Sequence, residues 1–104
     1  MTAVARVFHA LGDPVRLEIV QRLAQHQPCT IATVSGGLGI TRQGARKHLQ
    51  VLADAKLVVL EARGREVHVQ LDAAAFDQAK AFIEKLERQW DRRLDALKRF
   101  VEQG

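Results

Sequence analysis

An apolar stripe runs through the last third of this chain and constrains its architecture more than any other feature. Apolar side chains recur there at intervals of three and four residues: Phe76, Ala79, Ile83, Leu86, Trp90, Leu94, Leu97 and Val101. Asp72 precedes the stripe and is a suitable helix cap. The spacing predicts one amphipathic helix over residues 73–101, which at about 1.5 Å per residue is about 42 Å long.

That helix is too long for the domain that carries it. A chain of 104 residues is expected to form one domain, residues 1–104, whose diameter is nearer about 30 Å. Part of the stripe should therefore extend beyond its own domain and lack a cover. A second copy of the chain is the simplest cover, so we predict a homodimer. A break in the helix near Glu87 is the competing interpretation.

Two further helices are predicted before residue 27. Val4, Val7, Phe8 and Leu11 recur at helical spacing, which predicts a short helix over residues 3–11 that ends at Gly12. Asp13 is then placed to cap a second helix, and Pro14 occupies its first position, where a missing N–H does no harm. This second helix should run to about His26.

A helix-turn-helix pattern follows over residues 30–55. Thr30 opens a third helix that should be short or frayed, because the glycines near its end at about Gly37 disfavour helix. A tight turn follows, and Thr41 is placed to cap a fourth helix that reaches about Ala55. Ala45, Leu49 and Leu52 share its inward face. Two helices joined by a short glycine-containing turn are typical of a helix-turn-helix.

A β-hairpin is predicted directly after this unit, over residues 57–71. The first strand covers residues 57–62 and the second covers 66–71, where apolar and polar residues alternate. Arg63, Gly64 and Arg65 form the turn between them. The predicted fold class is therefore mainly α with a small β-hairpin. It is a winged helix-turn-helix of about five helices with a two-stranded wing, followed by a dimerisation helix over residues 73–101.

The positive charge of the chain is concentrated in the same segment. Residues 41–65 contain six basic and two acidic residues, a net charge of +4 that equals the net charge of the whole chain. A localised basic patch indicates a polyanionic partner. No aromatic residue lies among these basic residues to stack on unpaired bases, which disfavours RNA and single-stranded DNA. The solvated face of an ordinary domain remains the alternative explanation of the charge.

Duplex DNA fits the pattern because its major groove admits a helix. The N-terminal residues of the fourth helix would lie near base edges, with Arg42, Gln43 and Arg46 as the predicted readers. Lys47 would meet phosphate, and Arg63 and Arg65 at the hairpin tip would reach the backbone or the minor groove. The predicted DNA-binding set is Thr41, Arg42, Gln43, Arg46, Lys47, His48, Arg63 and Arg65. For His48, packing or a local hydrogen bond is an equal alternative.

Several short motifs resemble the ArsR/SmtB family of winged-helix regulators, and together they span nearly the whole chain. Residues 8–16, FHALGDPVR, resemble the opening motif of the family. Residues 40–58 resemble its recognition-helix segment, and the segment WDRRLDAL at 90–97 resembles the tail of a metal-independent branch. Two positions depart from the family pattern. Arg46 replaces a small serine, and Lys56 replaces a glycine at the helix end, where positive φ is favoured.

The resemblance implies a dimeric repressor that binds an imperfect inverted repeat in DNA. It also implies that the first and last helices form the dimer interface. The residues predicted at that dimer interface are Val4, Phe8, Leu86, Trp90, Leu94 and Leu97. Metal-sensing members of the family use a Cys-x-Cys pair or acidic and His ligands on the last helix. Here Cys29 is the only cysteine and the last helix contains no His, so neither a metal nor another cofactor is expected.

Other functions have weaker support in the sequence. Ser35 is the only serine and lies in no nucleophile motif, so no enzyme is predicted. No membrane span, signal pattern or disulfide framework is evident, so we expect a cytoplasmic protein without a membrane partner. The alternatives are a winged-helix module that binds a protein and touches DNA weakly, and a repressor that senses metal or redox state at a non-standard site. The effector is not identified by the sequence.

Overall fold

The computed structural model describes residues 2–103 and contains the predicted order of elements. Its helices are α1 (Ala3–Leu11), α2 (Pro14–Gln25), α3 (Ile31–Ser35), α4 (Arg42–Asp54) and α5 (Ala73–Gln103). Its strands are β1 (Cys29–Thr30), β2 (Val58–Arg63) and β3 (Glu66–Leu71). The fold class, mainly α with a small β-hairpin in a winged helix-turn-helix arrangement, is thereby confirmed.

Short-range hydrogen bonds explain where the helices begin. The Asp13 carboxylate accepts from the backbone N–H of Val15 at 2.8 Å and of Arg16 at 3.1 Å, at the start of α2. The Thr41 hydroxyl accepts from the backbone N–H of Gly44 at 2.9 Å, at the start of α4. Each cap satisfies a donor that has no partner within the first turn of its helix. Both caps are the residues that the sequence predicts.

The core lies where α1, α2 and α4 meet the inner face of the sheet. Its largest fully buried side chains are Val7, Ile19, Leu23, Val34, Leu49, Leu52, Leu57 and Val69. Among residues 2–103, no polar or charged residue is buried with them. The positions of the recognition elements therefore depend on apolar packing, which holds α4 and the hairpin against the same core.

The sheet differs from the prediction because it has three strands in the order β1-β3-β2. Cys29 pairs with Val69 and Thr30 pairs with His68, antiparallel. The predicted two-stranded wing is present as the β2–β3 hairpin, and β1 adds a third strand to its sheet. A two-residue strand carries no periodicity, so only the fold brings it beside β3. The hairpin itself pairs Val58 with Leu71 through Arg63 with Glu66, one residue later at its start than predicted.

The two glycine-rich boundaries also differ in detail. Helix α3 ends at Ser35 rather than near Gly37, because Gly36 is extended and Gly37 has a φ of +75°. Lys56, which follows α4, has a φ of +64° and is the only non-glycine residue with positive φ in the described chain. The backbone thus keeps the conformation that favours glycine at the helix end while the side chain is lysine.

Helix α5 is continuous through Glu87, so the predicted single helix is confirmed and the competing interpretation, a break there, is wrong. It runs two residues beyond the predicted end, and every residue from 81 to 103 is exposed. The described chain measures 69 × 26 × 25 Å, so α5 projects from the compact part of the domain. Within residues 2–103 no helix combines the length and apolar character needed to cross a membrane.

Candidate nucleic-acid interface

One face of α4 is polar, basic and open to solvent. Arg42, Gln43, Arg46 and Lys47 are all exposed, whereas Ala45, Leu49 and Leu52 on the opposite face are buried in the core. Since successive residues are about 100° apart around the helix axis, Gln43 lies near the middle of the open face. Arg46 and Lys47 lie on either side of it.

The wing side of α4 forms a cleft in which three arginines meet. Arg42, Arg46 and Arg65 line it together with the turn between α3 and α4, including Gly37 and Ile40. Arg42 and Arg46 are one helical turn apart, so both reach this side of α4. The structure therefore brings two of the predicted base readers beside one of the predicted wing anchors, a grouping that the sequence does not reveal.

The other arginine of the wing, Arg63, is paired with an acidic neighbour. Arg63 donates to the Glu61 carboxylate at 3.2 Å on the same strand, and both side chains are largely exposed. The hydrogen bond and the charge of Arg63 lower the pKa of Glu61. Gly64, with a φ of +61°, allows the tight turn that separates Arg63 from Arg65. Arg63 is thus held by an acidic neighbour, while Arg65 faces the cleft.

The flank of α4 that faces away from the wing carries Lys47 and His48. Lys47 is exposed, and His48 is half-buried with its Nδ1 atom 3.2 Å from the Nη1 atom of Arg16. The local hydrogen bond that the sequence left open for His48 is therefore present. Thr41 lies at the helix start, where its hydroxyl caps α4 and fixes the backbone that presents the reader side chains.

Sequence reasoning missed two arginines of α2 that support this surface. Arg22 donates to the backbone carbonyls of Val34 at 3.3 Å and Gly36 at 2.5 Å, which ties the turn after α3 to α2. Arg16 joins α1 to α4 through the contact with His48. Arg16 lies in the segment that carries the family resemblance, but no local pattern indicates which carbonyls and ring a long side chain will reach.

The predicted dimer residues lie along α1 and α5. Phe8, Leu86, Trp90, Leu94 and Leu97 are exposed, with Trp90 61% exposed and Leu97 59% exposed. Phe8 also contacts Phe82 of α5, with ring centroids 5.8 Å apart. An apolar groove between the two helices continues the stripe toward the core, and Leu11, Phe76 and Ile83 line it. Val4 is half-buried on α1.

The titratable residues outside this surface do not form a cluster. Within the described residues, no group of three or more His, Cys, Asp or Glu side chains is placed to hold a metal ion. Cys29 is buried, and its thiol donates to the His26 carbonyl. Its burial is typical of a cysteine that packs as a small apolar residue.

Comparisons with known proteins give the same classification as the geometry. A family model described as a helix-turn-helix domain matches residues 11–61. The chain is 33% identical over 85 residues to the HTH-type transcriptional repressor SmtB of Mycobacterium tuberculosis, a match that covers 72% of this chain and 62% of that repressor's length. The chain therefore spans less than two thirds of that relative.

Two solved structures extend the comparison to the fold. An ArsR-like transcriptional regulator from Rhodococcus sp. RHA1 is 32% identical, with a TM-score of 0.80 over 94% of this chain and 92% of that chain. A homodimeric winged helix-turn-helix DNA-binding domain from Mycobacterium bovis is 25% identical, with a TM-score of 0.62 over 88% and 82% of the two chains. The chain belongs to the ArsR/SmtB family of winged helix-turn-helix transcriptional regulators.

Proposed function

We propose that this regulator is a repressor that binds duplex DNA sequence-specifically as a homodimer, in the cytoplasm. The observation that carries the proposal is the open basic face of α4, with Gln43 at its middle and arginines on the side of the wing. A helix of this kind fits the major groove, where Arg pairs with guanine and Gln with adenine. The family consists of transcriptional regulators rather than enzymes, so no reaction is assigned to this surface.

The cleft beside the wing supports a division of roles within that face. The DNA strand between the major and minor grooves would pass through the cleft lined by Arg42, Arg46 and Arg65. Around the helix axis Arg42 lies about 100° from Gln43 on the cleft side, whereas Arg46 lies about 60° from it, so Arg42 would bind phosphate rather than a base, in contrast to the role expected from sequence. Gln43 and Arg46 remain the proposed base readers. Lys47 would anchor the backbone on the opposite side of the groove.

The apolar stripe of α5 supports the dimer. Leu86, Trp90, Leu94 and Leu97 are exposed on one face of a helix that projects from the domain, and burying them against a second copy removes apolar surface from water. The similar domain from Mycobacterium bovis is homodimeric. A twofold dimer places two α4 helices on successive turns of the major groove, which are about 34 Å apart, so the operator should be an inverted repeat.

Selection of bound sequences from random duplex DNA tests this function directly. We expect an enriched inverted repeat, and a dimer with two to four phosphate contacts per subunit should give a log–log salt slope of about −4 to −7 on it. The double variant R46A/K47A should lose tight binding and stay folded. R88A/R92A removes two positive charges from α5, away from α4, and should bind nearly as wild type.

Two outcomes would contradict the proposal. One is an R46A/K47A variant that binds the selected duplex as tightly as the wild-type protein. The other is weak DNA binding combined with salt-insensitive capture of a protein partner, which would favour an interaction module instead.

A further inference from the structure

A single side chain of α2 connects α1 with the recognition helix α4. The Arg16 Nε donates to the Ala10 carbonyl at 2.7 Å, and its Nη2 donates to the His9 carbonyl at 3.3 Å. Both carbonyls belong to the last turn of α1, and that of His9 also accepts from the backbone N–H of Gly12 at 3.2 Å. The remaining nitrogen, Nη1, lies 3.2 Å from Nδ1 of His48. The planar guanidinium thus contacts two carbonyls of α1 and the ring of His48 at the same time.

The chemistry of this contact determines which nitrogen of His48 carries the proton. A guanidinium has only donors, so Nδ1 of His48 must accept, and the neutral ring must carry its proton on Nε2. Nε2 has no hydrogen-bond partner among residues 2–103. In the described chain, Nδ1 of His68 is the only fully buried side-chain polar atom without a hydrogen-bond partner. The unpartnered Nε2 of His48 is therefore not fully buried. The Nε2 atom of this half-buried residue therefore has no partner within the described chain and keeps some contact with solvent.

That donor lies on the flank of α4 opposite the wing. His48 is two residues after Arg46, about 200° around the helix axis, and directly follows the exposed Lys47. With α4 in the major groove, the arginine cleft faces one phosphate strand and this flank faces the other. The Lys47 ammonium and the His48 N–H, about 100° apart around the axis, suit neighbouring phosphates of one strand, whose oxygens accept hydrogen bonds.

We infer that Arg16 is a positioning residue for DNA binding, which orients His48 so that its Nε2–H donates to a backbone phosphate of the bound duplex. The inference rests on the proposed function, because it assigns a contact within that interface. Arg16 itself does not touch DNA in this scheme. It acts through His48, and it also links α4 to α1, the helix that carries Phe8 toward the predicted dimer interface.

Substitutions at His48 test the phosphate contact on the duplex selected from random DNA. H48Q retains an amide N–H near the position of Nε2 and should bind within about threefold of wild type. H48L retains bulk without a donor and should bind about a hundredfold more weakly, because each of the two subunits loses a hydrogen bond to a charged acceptor, worth about tenfold per subunit. An H48L variant that binds as well as wild type would overturn the inference.

A double-mutant cycle tests whether Arg16 acts through His48. R16M keeps the length of the side chain and removes its donors, and it should weaken binding about as much as H48L. The double variant R16M/H48L should show little further loss, since both changes remove the same contact. Losses that multiply would mean that Arg16 acts independently of His48. R6M is the matched control, because Arg6 is an exposed arginine of α1 with no ion pair or side-chain hydrogen bond within the described residues.

A measurement without DNA separates this inference from the proposed function. Nitrogen-15 NMR of the free wild-type protein at mildly alkaline pH should find the His48 proton on Nε2, and a proton on Nδ1 would overturn the inference. If the protein selects no duplex, the proposed function fails, whereas the NMR result still decides the Arg16–His48 arrangement. If R16M unfolds in a thermal melt, the wild-type NMR spectrum and the His48 variants remain decisive.

Discussion

Replacing Leu97 by Ala should weaken the dimer without disturbing the fold of the subunit. Leu97 lies in the projecting part of α5, where it is 59% exposed and contributes nothing to the core of its own chain. Alanine is at least as favourable as leucine in a helix, so α5 itself should persist. Any loss of association must then come from apolar surface that a second copy no longer covers.

The size of the effect follows from that exposure. The substitution removes three carbon atoms, and each is worth about 0.8 kcal/mol when fully buried, or about 2.4 kcal/mol in total. Because 59% of the residue is accessible in the isolated subunit, about 1.4 kcal/mol per copy is gained on pairing. A twofold dimer contains two copies, so the dissociation constant should rise about a hundredfold.

Sedimentation equilibrium over a range of protein concentrations measures this constant. D95A is the matched control, because Asp95 is exposed on the face of α5 opposite the stripe and should leave association unchanged. Operator binding by L97A should weaken at low protein concentration and recover as the concentration rises. A wild-type protein that is monomeric at micromolar concentration, or an L97A variant that dimerises within threefold of wild type, would contradict this prediction.

Three further predictions concern single positions. K56G should raise the free energy of unfolding by about 0.5 kcal/mol and the Tm by about 3 °C, because glycine relieves the positive φ at a partly offsetting entropic cost; a lower Tm in calorimetry would contradict it. E61Q should bind the selected duplex roughly twofold to tenfold more tightly, because it releases Arg63 and removes a negative charge near phosphate, and equal or weaker binding would count against a wing contact. D13N should be less stable than wild type at neutral pH and equal to it in strong acid. Backbone donation from Arg16 lowers the pKa of Asp13 in the folded state. The stability that the charged carboxylate contributes is therefore present above about pH 4 and is lost as the pH falls through the lowered pKa. Thermal melts at both pH values check this, and a gap that persists in acid would argue against the charge.

Much of the proposed DNA-binding surface could be predicted from the sequence because it is built from local signals. Caps at Asp13 and Thr41 and the inward triad of Ala45, Leu49 and Leu52 determine which face of α4 is open. The proposed roles of Arg42 and His48 could not be predicted in the same way. Their surroundings include the wing and α2, and a contact between distant segments leaves no mark in residue spacing.

The order of the helices, the hairpin and the overlong apolar stripe could all be predicted from local patterns in the sequence. Capping and periodicity act over a few residues and need no knowledge of the rest of the chain. Three features arise only in the folded chain: the pairing of β1 with β3, the grouping of Arg42 and Arg46 with Arg65, and the contact of Arg16 with His48. Each of these contacts joins distant segments that meet only when the core around Ile19, Leu49 and Val69 packs. Burial of apolar surface is favourable in many arrangements of the elements, and the complementary shapes of the core side chains select one of them.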